Sequence, residues 1–257
     1  MATWGRRLRA AGRLVRVAMH VGHGMAIVAL RWRTLDAAGR QARIGWWAAK
    51  LLRLLGLQPV VEGGVRSGAV LLLANHVSWL DILAIHAACP RARFVSKADV
   101  RQWPLLGWLV GAVGTLFIER ERKRDALRVV HQMAAALERG DAVAVFPEGT
   151  TGDGAALLPF HANLLQAAIA TGVPAQPLVL RYAAPGERFS PVVAWLGETT
   201  LIDSLWSVAC ADGLQVHIRA LPPLGTRHAD RRALALHVRT LIDQALHPDH
   251  NASQEMR

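Results

Sequence analysis

A short apolar run that ends in a polar cluster constrains this chain more than any other feature of its sequence. Residues 69–74 are entirely apolar and follow a glycine-rich, turn-like segment, which is typical of a buried strand. Asn75 and His76 come next, and Ser78 stands three residues before Asp81 at the start of another apolar run. That spacing is typical of an N-capping box, so we predict a strand, a turn and a helix capped by Ser78.

Two later apolar runs end in the same way. Residues 114–118 lead into Glu119 and Arg120, and residues 142–146 break into a turn that contains Glu148. Strands that alternate with helical segments predict an α/β fold, with a mixed, largely parallel sheet covered by helices. Because ligands bind outside the carboxyl ends of strands in such sheets, the three polar clusters predict a single site.

The rest of the chain continues this alternation. We predict further strands at residues 93–96, 176–182, 192–196 and 214–220, and helices at residues 124–138, 162–170 and 230–246. No internal repeat or Gly/Ser linker interrupts the sequence, so residues 57–250 are assigned to one domain. Residues 251–257 are polar and are predicted to form a frayed tail.

His76 and Asp81 are the first candidates for chemistry. Of the eleven histidines, only His76 has an aspartate five residues further along the chain. On one continuous helix these side chains would point roughly 140° apart, but a histidine in the preceding turn can fold back onto the carboxylate. The pair then forms a base and its orienting partner. The spacing alone leaves open that Asp81 is only a helix-capping acid and His76 an ordinary loop residue.

The positive charge of the chain is concentrated near its start. Residues 1–53 contain eleven arginines and lysines against Asp36 alone, and so carry +10 of the total charge of +11. Residues 17–30 are uncharged but shorter than the roughly 20 residues of a bilayer span. We therefore predict that residues 1–56 form a basic, helical segment ending at Gly56 that contacts an anionic membrane surface. A cleaved signal peptide, and a helix over residues 38–56 packed on the core, are the alternatives.

The same features argue against other partners. Cys89 and Cys210 lie far apart and match no metal-binding or redox spacing. The long apolar faces of the basic segment, together with the lack of a recognisable DNA- or RNA-binding motif, argue against a nucleic-acid partner.

Taken together, the polar clusters at residues 75–81, 114–120 and 146–150 resemble the ordered motifs of bacterial lysophospholipid acyltransferases. Within that group they most resemble the 1-acylglycerol-3-phosphate acyltransferase family, over roughly residues 60–180. The resemblance implies a glycerolipid acyltransferase-like fold. It also implies that His76 is the general base and Asp81 its partner, that Arg120 binds the acceptor phosphate, and that the glycerol portion is held by the third motif, which contains Glu148, Gly149 and Thr150.

The resemblance also implies the reaction and its location. The acceptor would be a lysophospholipid, foremost 1-acylglycerol-3-phosphate, which acylation converts to phosphatidic acid. The donor would be acyl-CoA or acyl-carrier protein, with no bound cofactor and no metal. The enzyme would act at the cytoplasmic face of the bacterial inner membrane as a peripheral or monotopic protein.

Two departures from the family pattern leave the acceptor open. Glu119 stands where the family often has aspartate, and Thr151 stands where it often has a basic residue. A related subgroup acylates lyso-ornithine lipid, which lacks a glycerol phosphate, and this is the alternative acceptor. Two readings of a different class are a lipid esterase or thioesterase that uses Ser78 as nucleophile and a non-catalytic membrane-binding protein. The chain has no Gly-x-Ser-x-Gly elbow.

Overall fold

The computed structural model describes residues 4–97, 106–112, 114–118 and 123–248. Within these residues seven strands form one sheet: β1 (Leu57–Glu62), β2 (Val70–Ala74), β3 (Ala92–Lys97), β4 (Leu116–Ile118), β5 (Ala142–Val145), β6 (Ala175–Ala183) and β7 (Leu214–Ala220). The α-helices are α1 (Trp4–Leu30), α2 (Ala37–Leu55), α3 (Leu80–Ala88), α4 (Leu106–Ala112), α5 (Lys123–Glu138), α6 (Gln166–Thr171), α7 (Leu201–Cys210) and α8 (Arg231–Leu246). Two short 3-10 helices cover Ala162–Leu165 and Pro191–Val193.

The sheet is mixed and largely parallel, as the sequence predicts. Its strand order is β1-β7-β6-β2-β5-β3-β4. β2 lies at the centre, parallel to β5 on one side and to β6 on the other, while β7 runs antiparallel to β6. The carboxyl ends of β2, β5 and β6 therefore meet at one edge of the sheet, where ligands bind in folds of this kind.

The central strand is buried on both faces, which explains its continuous apolar sequence. Leu72 and Ala74 pack into a core with α2 and α3. Leu71 and Leu73 point to the opposite face and pack into a second core with α5, α6 and α8. These four side chains are almost completely removed from water, so β2 is a rigid base for the loop that follows it.

Helix α2 belongs to the core of the sheet. It begins after Asp36, whose side chain accepts a hydrogen bond from the Gly39 N–H at 2.8 Å, and ends at Gly56 in a left-handed conformation, as predicted. Its apolar side chains Leu51, Leu52 and Leu55 are buried against the sheet. The membrane contact predicted for this face is therefore wrong, because the face packs into the core on the apolar side of the sheet.

Helix α1 presents a different face to its surroundings. By length and composition it is apolar enough to cross a membrane, and little of it is buried. It is fixed to the body at Arg13, whose Nη1 donates to the carbonyl oxygens of Ala209 and Ala211 at 2.9 and 2.7 Å. These carbonyls end α7, where a cation is favoured by the helix dipole. One side of α1 is thereby held against α7, and the other faces outward.

The local sequence pattern failed to predict four elements. Residues 192–196 form no strand, because Pro191 starts a 3-10 helix there. Strand β1 and helices α4 and α7 were not predicted. β1 contains Pro59, which is tolerated because the strand lies at the edge of the sheet and pairs only with β7.

Candidate active site

The loop between β2 and α3 carries His76 at the carboxyl end of the central strand. The preceding residue, Asn75, is buried and joins β2 to β6 through its side chain. Its Nδ2 donates to the Leu180 carbonyl oxygen, and its Oδ1 accepts from the Leu180 N–H, each at 2.8 Å. This pair of bonds extends the strand ladder by one residue, so the start of the loop has a fixed position.

His76 and Asp81 meet, as their spacing allows. The Nδ1 atom of His76 lies 2.8 Å from Oδ2 of Asp81. The aspartate side chain is completely buried, whereas one fifth of the histidine side chain is exposed. With Asp81 as a carboxylate, Nδ1 carries the proton and Nε2 keeps its lone pair, which is the tautomer required of a general base. The geometry thus offers a base at the protein surface with a buried orienting acid.

Asp81 is held by further hydrogen-bond donors. Its Oδ2 also accepts from the backbone N–H groups of Val77 and Ser78, at 2.7 and 2.9 Å. Its Oδ1 accepts from the hydroxyl of Tyr182 at 2.6 Å. These donors supply the hydrogen bonds that the buried carboxylate would otherwise make with water. Tyr182 could not be predicted from the sequence, because it lies 101 residues from Asp81 and carries no motif signal.

Ser78 does not cap α3, and this prediction is wrong. The carboxylate half of the capping box is present, since Asp81 accepts from the Ser78 N–H. The hydroxyl half is missing because the Asp81 N–H donates to the Ser78 carbonyl oxygen at 3.1 Å. The hydroxyl is buried without a hydrogen-bond partner among the described residues. A hydroxyl in this position is closed to a lipid ester, which argues against Ser78 as a nucleophile.

Phe146 fixes the plane of the His76 ring. The two rings are stacked, with centroids 3.9 Å apart and planes 9° from parallel. Phe146 follows the last residue of β5, the strand that pairs with β2. Phe146 belongs to the third motif, but no pattern in the sequence assigns it a role. The adjacency of β2 and β5 gives it this role.

Glu148 holds the loop between β2 and α3 in place through hydrogen bonds to the backbone. Its Oε1 accepts from the His76 N–H at 2.7 Å and its Oε2 from the Leu158 N–H at 2.9 Å. Burial raises the pKa of Glu148 above its ordinary value, and the two backbone donors partly offset this rise. The Gly152 N–H adds a bond to the His76 carbonyl oxygen at 2.7 Å. The loop after β5 therefore sets the backbone of His76; contact between Glu148 and an acceptor stays a prediction.

Gly149 and Thr150 follow Glu148 in the chain and are exposed. Gly149 has a φ of 74°, and a Cβ atom there would come within 2.9 Å of the His161 ring. Both features require glycine at this position. The Thr151 hydroxyl donates to the Trp195 carbonyl oxygen. Arg120 lies outside the described residues, so the structure does not place it relative to His76.

Metal ligands do not gather in the described part of the chain. No group of three or more histidine, cysteine, aspartate or glutamate side chains there could hold a metal ion. The chemistry that the described site offers is the transfer of a proton at His76, with Asp81 stabilising the imidazolium that results.

Sequence comparison places the chain among known proteins. The sequence profile of the family described as Acyltransferase matches residues 52–181. The lyso-ornithine lipid O-acyltransferase of Pseudomonas aeruginosa is 36% identical over 242 residues, which cover 93% of this chain and 92% of that protein. The 1-acyl-sn-glycerol-3-phosphate acyltransferase of Neisseria gonorrhoeae is 43% identical over 166 residues, 64% of each chain.

A solved structure shares the fold. The crystal structure of the 1-acyl-sn-glycerophosphate acyltransferase from Thermotoga maritima matches with a TM-score of 0.64 at 18% sequence identity. The match covers 91% of this chain and 96% of that one. The motif resemblance is confirmed by these findings. This chain belongs to the Acyltransferase family, and it is an O-acyltransferase.

Proposed function

We propose that this enzyme transfers an acyl chain from a thioester to the free hydroxyl of a lysolipid, with His76 as general base. The observation that carries the proposal is the 2.8 Å contact between His76 Nδ1 and Asp81 Oδ2, which leaves Nε2 as the basic nitrogen. Nε2 takes the hydroxyl proton while the hydroxyl oxygen attacks the thioester carbonyl carbon. The C–S bond then breaks, and the imidazolium returns the proton to the departing thiolate.

We propose lyso-ornithine lipid as the acceptor. The relatives that carry this name include one aligned over more than nine tenths of the chain, whereas the 1-acyl-sn-glycerol-3-phosphate acyltransferases of Neisseria align over 64% of it. Thr151 supports this choice, since it stands where the family often has a basic residue and donates its hydroxyl proton to a backbone carbonyl. The second candidate is 1-acylglycerol-3-phosphate, which the motif resemblance alone favours.

We propose that α1 holds the enzyme at a membrane. Five large apolar side chains lie exposed along the helix: Trp4, Leu8, Val15, Met19 and Leu30. Their spacing puts them on one face, opposite the buried residues Ala10, His20 and Gly24. The net positive charge of the first 53 residues favours an anionic leaflet, which supports the cytoplasmic face of the inner membrane.

The acceptor and donor are tested in one experiment. Purified enzyme is offered lyso-ornithine lipid and 1-acylglycerol-3-phosphate together, with labelled acyl-CoA in one reaction and labelled acyl-carrier protein in another. We expect the label to enter ornithine lipid from at least one donor. Labelling of phosphatidic acid alone would replace the proposed acceptor by the second candidate. Labelling of neither lipid, by enzyme that is folded, would overturn the proposed function.

A further inference from the structure

The 257 residues contain one tyrosine. It lies against Asp81, the acid of the His76–Asp81 pair, which we call the dyad. Tyr182 is buried, and its hydroxyl donates to Oδ1 of Asp81 at 2.6 Å. The other oxygen of the carboxylate, Oδ2, already accepts from His76 and from two backbone N–H groups. Tyr182 therefore supplies the one side-chain donor to Oδ1 among the described residues.

The strand that carries Tyr182 is tied to the His76 loop. β6 pairs with β2, and the Asn75 side chain is bonded to both backbone groups of Leu180, two residues before Tyr182. Leu178, Leu180 and Tyr182 alternate along β6 and pack into the core that also contains α3. The phenol thus reaches Asp81 from a strand whose position relative to His76 is fixed.

We propose that Tyr182 is a positioning residue that holds Asp81 in its charged, correctly oriented form and thereby sets the proton affinity of His76. This inference rests on the proposed function, since it concerns the same dyad. The hydroxyl keeps its own proton during the reaction, because burial and the neighbouring carboxylate raise the pKa of Tyr182 well above its ordinary value. Tyr182 is buried and acts through Asp81.

The charges around Asp81 determine the direction of the effect. In the described structure the titratable groups that face it are His76, Tyr182 and Glu148. Glu148 is bonded to two backbone N–H groups and remains in place when Tyr182 is changed. The tyrosine bond stabilises Asp81 most when His76 is neutral, because the carboxylate charge is then uncompensated. Loss of that bond therefore makes protonation of His76 more favourable.

Because the chain has one tyrosine, the bond can be observed directly. Protein labelled with 13C at the tyrosine Cζ gives a single resonance, with no assignment needed. We expect this resonance to shift in Asp81→Asn and to stay in place in Glu138→Gln, an exposed control at the end of α5, which packs on the opposite face of the sheet from α3. An unchanged resonance in Asp81→Asn would show that the bond is absent, whether or not the enzyme transfers acyl chains.

The pH dependence of kcat/KM separates positioning from simple packing. We expect Tyr182→Phe to lower kcat/KM about tenfold. We also expect the acid limb of the pH profile, where kcat/KM falls with falling pH, to move about one pH unit higher. Replacing the one tyrosine by 3-fluorotyrosine strengthens the donor, so the limb is expected to move to lower pH. A purely structural role would lower kcat/KM equally at every pH and leave the limb in place.

The outcomes keep the two proposals apart. A wild-type enzyme that acylates neither lysolipid would contradict the proposed function, while the resonance still reports on the bond. An active wild-type enzyme whose acid limb stays fixed in both Tyr182→Phe and the fluorotyrosine protein would overturn the inference. If Tyr182→Phe does not fold, the fluorotyrosine protein alone decides, because it keeps both the ring and the hydroxyl that bonds to Asp81.

Discussion

At the scale of single residues, neighbouring groups hold His76 and Asp81 in their positions. The loop wraps around the Asp81 carboxylate, so that two backbone N–H groups donate to the same oxygen as His76. Glu148 fixes the His76 backbone and Phe146 fixes its ring. Orientation of this kind is what makes a base effective, because a misplaced proton acceptor loses much of its rate advantage.

The stacking of Phe146 on His76 gives the first prediction. In Phe146→Leu the apolar volume is largely kept, but the flat surface that holds the imidazole is lost. We expect kcat to fall about tenfold with KM little changed, because the base is misoriented while the binding surface remains. Steady-state kinetics on the acylated lipid measure both constants. Phe189→Leu, which alters a ring packed on the other face of the sheet, is the matched control. Equal kcat values in Phe146→Leu and the wild type would contradict this role.

His86 makes stability depend on pH. It is buried in α3, neither ring nitrogen has a hydrogen-bond partner among the described residues, and burial lowers its pKa from 6.5 to about 4. Between these values the unfolded chain binds a proton that the folded chain does not. The free energy of unfolding therefore falls as the pH drops below 6.5, by about 3 kcal/mol once it reaches 4.

Replacing His86 removes this contribution. We expect urea unfolding between pH 7.5 and pH 5 to show a smaller loss of stability in His86→Leu than in the wild type, by about 2 kcal/mol. The exposed His237, changed to glutamine, serves as the control and should keep the wild-type dependence. The same pH dependence in His86→Leu as in the wild type would show that His86 is not buried in its neutral form.

At the scale of elements, hydrophobic pattern was a sound guide where a strand or helix is buried on a predictable face. β2 and β5 were identified because burial on both faces demands continuous apolar runs. The pattern led to a wrong prediction for α2, because an apolar helix face has the same sequence pattern whether it packs against a sheet or contacts lipid. Only the packing of Leu51, Leu52 and Leu55 decides between the two.

The exposed face of α1 gives a prediction for this scale. In the double variant Leu8→Gln and Val15→Gln, two apolar side chains that are more than half exposed become polar. We expect the affinity for anionic vesicles to fall about tenfold or more, because each side chain contributes on the order of 1.5 kcal/mol when fully buried in lipid. Co-sedimentation with phosphatidylglycerol vesicles measures the change. Leu236→Gln alters an equally exposed leucine on α8 and should bind normally. A double variant that binds as well as this control would contradict a membrane role for the face.

At the scale of the whole molecule, the topology brings together what the sequence keeps apart. The meeting of His76 and Asp81 could be predicted, because both lie in one loop and one helical turn. The contacts of His76 with Glu148 and of Asp81 with Tyr182 join residues 72 and 101 positions apart. No local pattern encodes such contacts; they follow from the central position of β2 between β5 and β6. The edge pairing of β1 with β7 was missed for the same reason.

The most direct test of the account is the rate of acyl transfer to lyso-ornithine lipid by His76→Gln. Glutamine keeps a polar side chain of similar length but cannot accept and return a proton at Nε2. We predict a fall of at least about a hundredfold in kcat, with an unfolding midpoint close to that of the wild type. A folded His76→Gln enzyme that transfers acyl chains at the wild-type rate would contradict the role of His76 as general base.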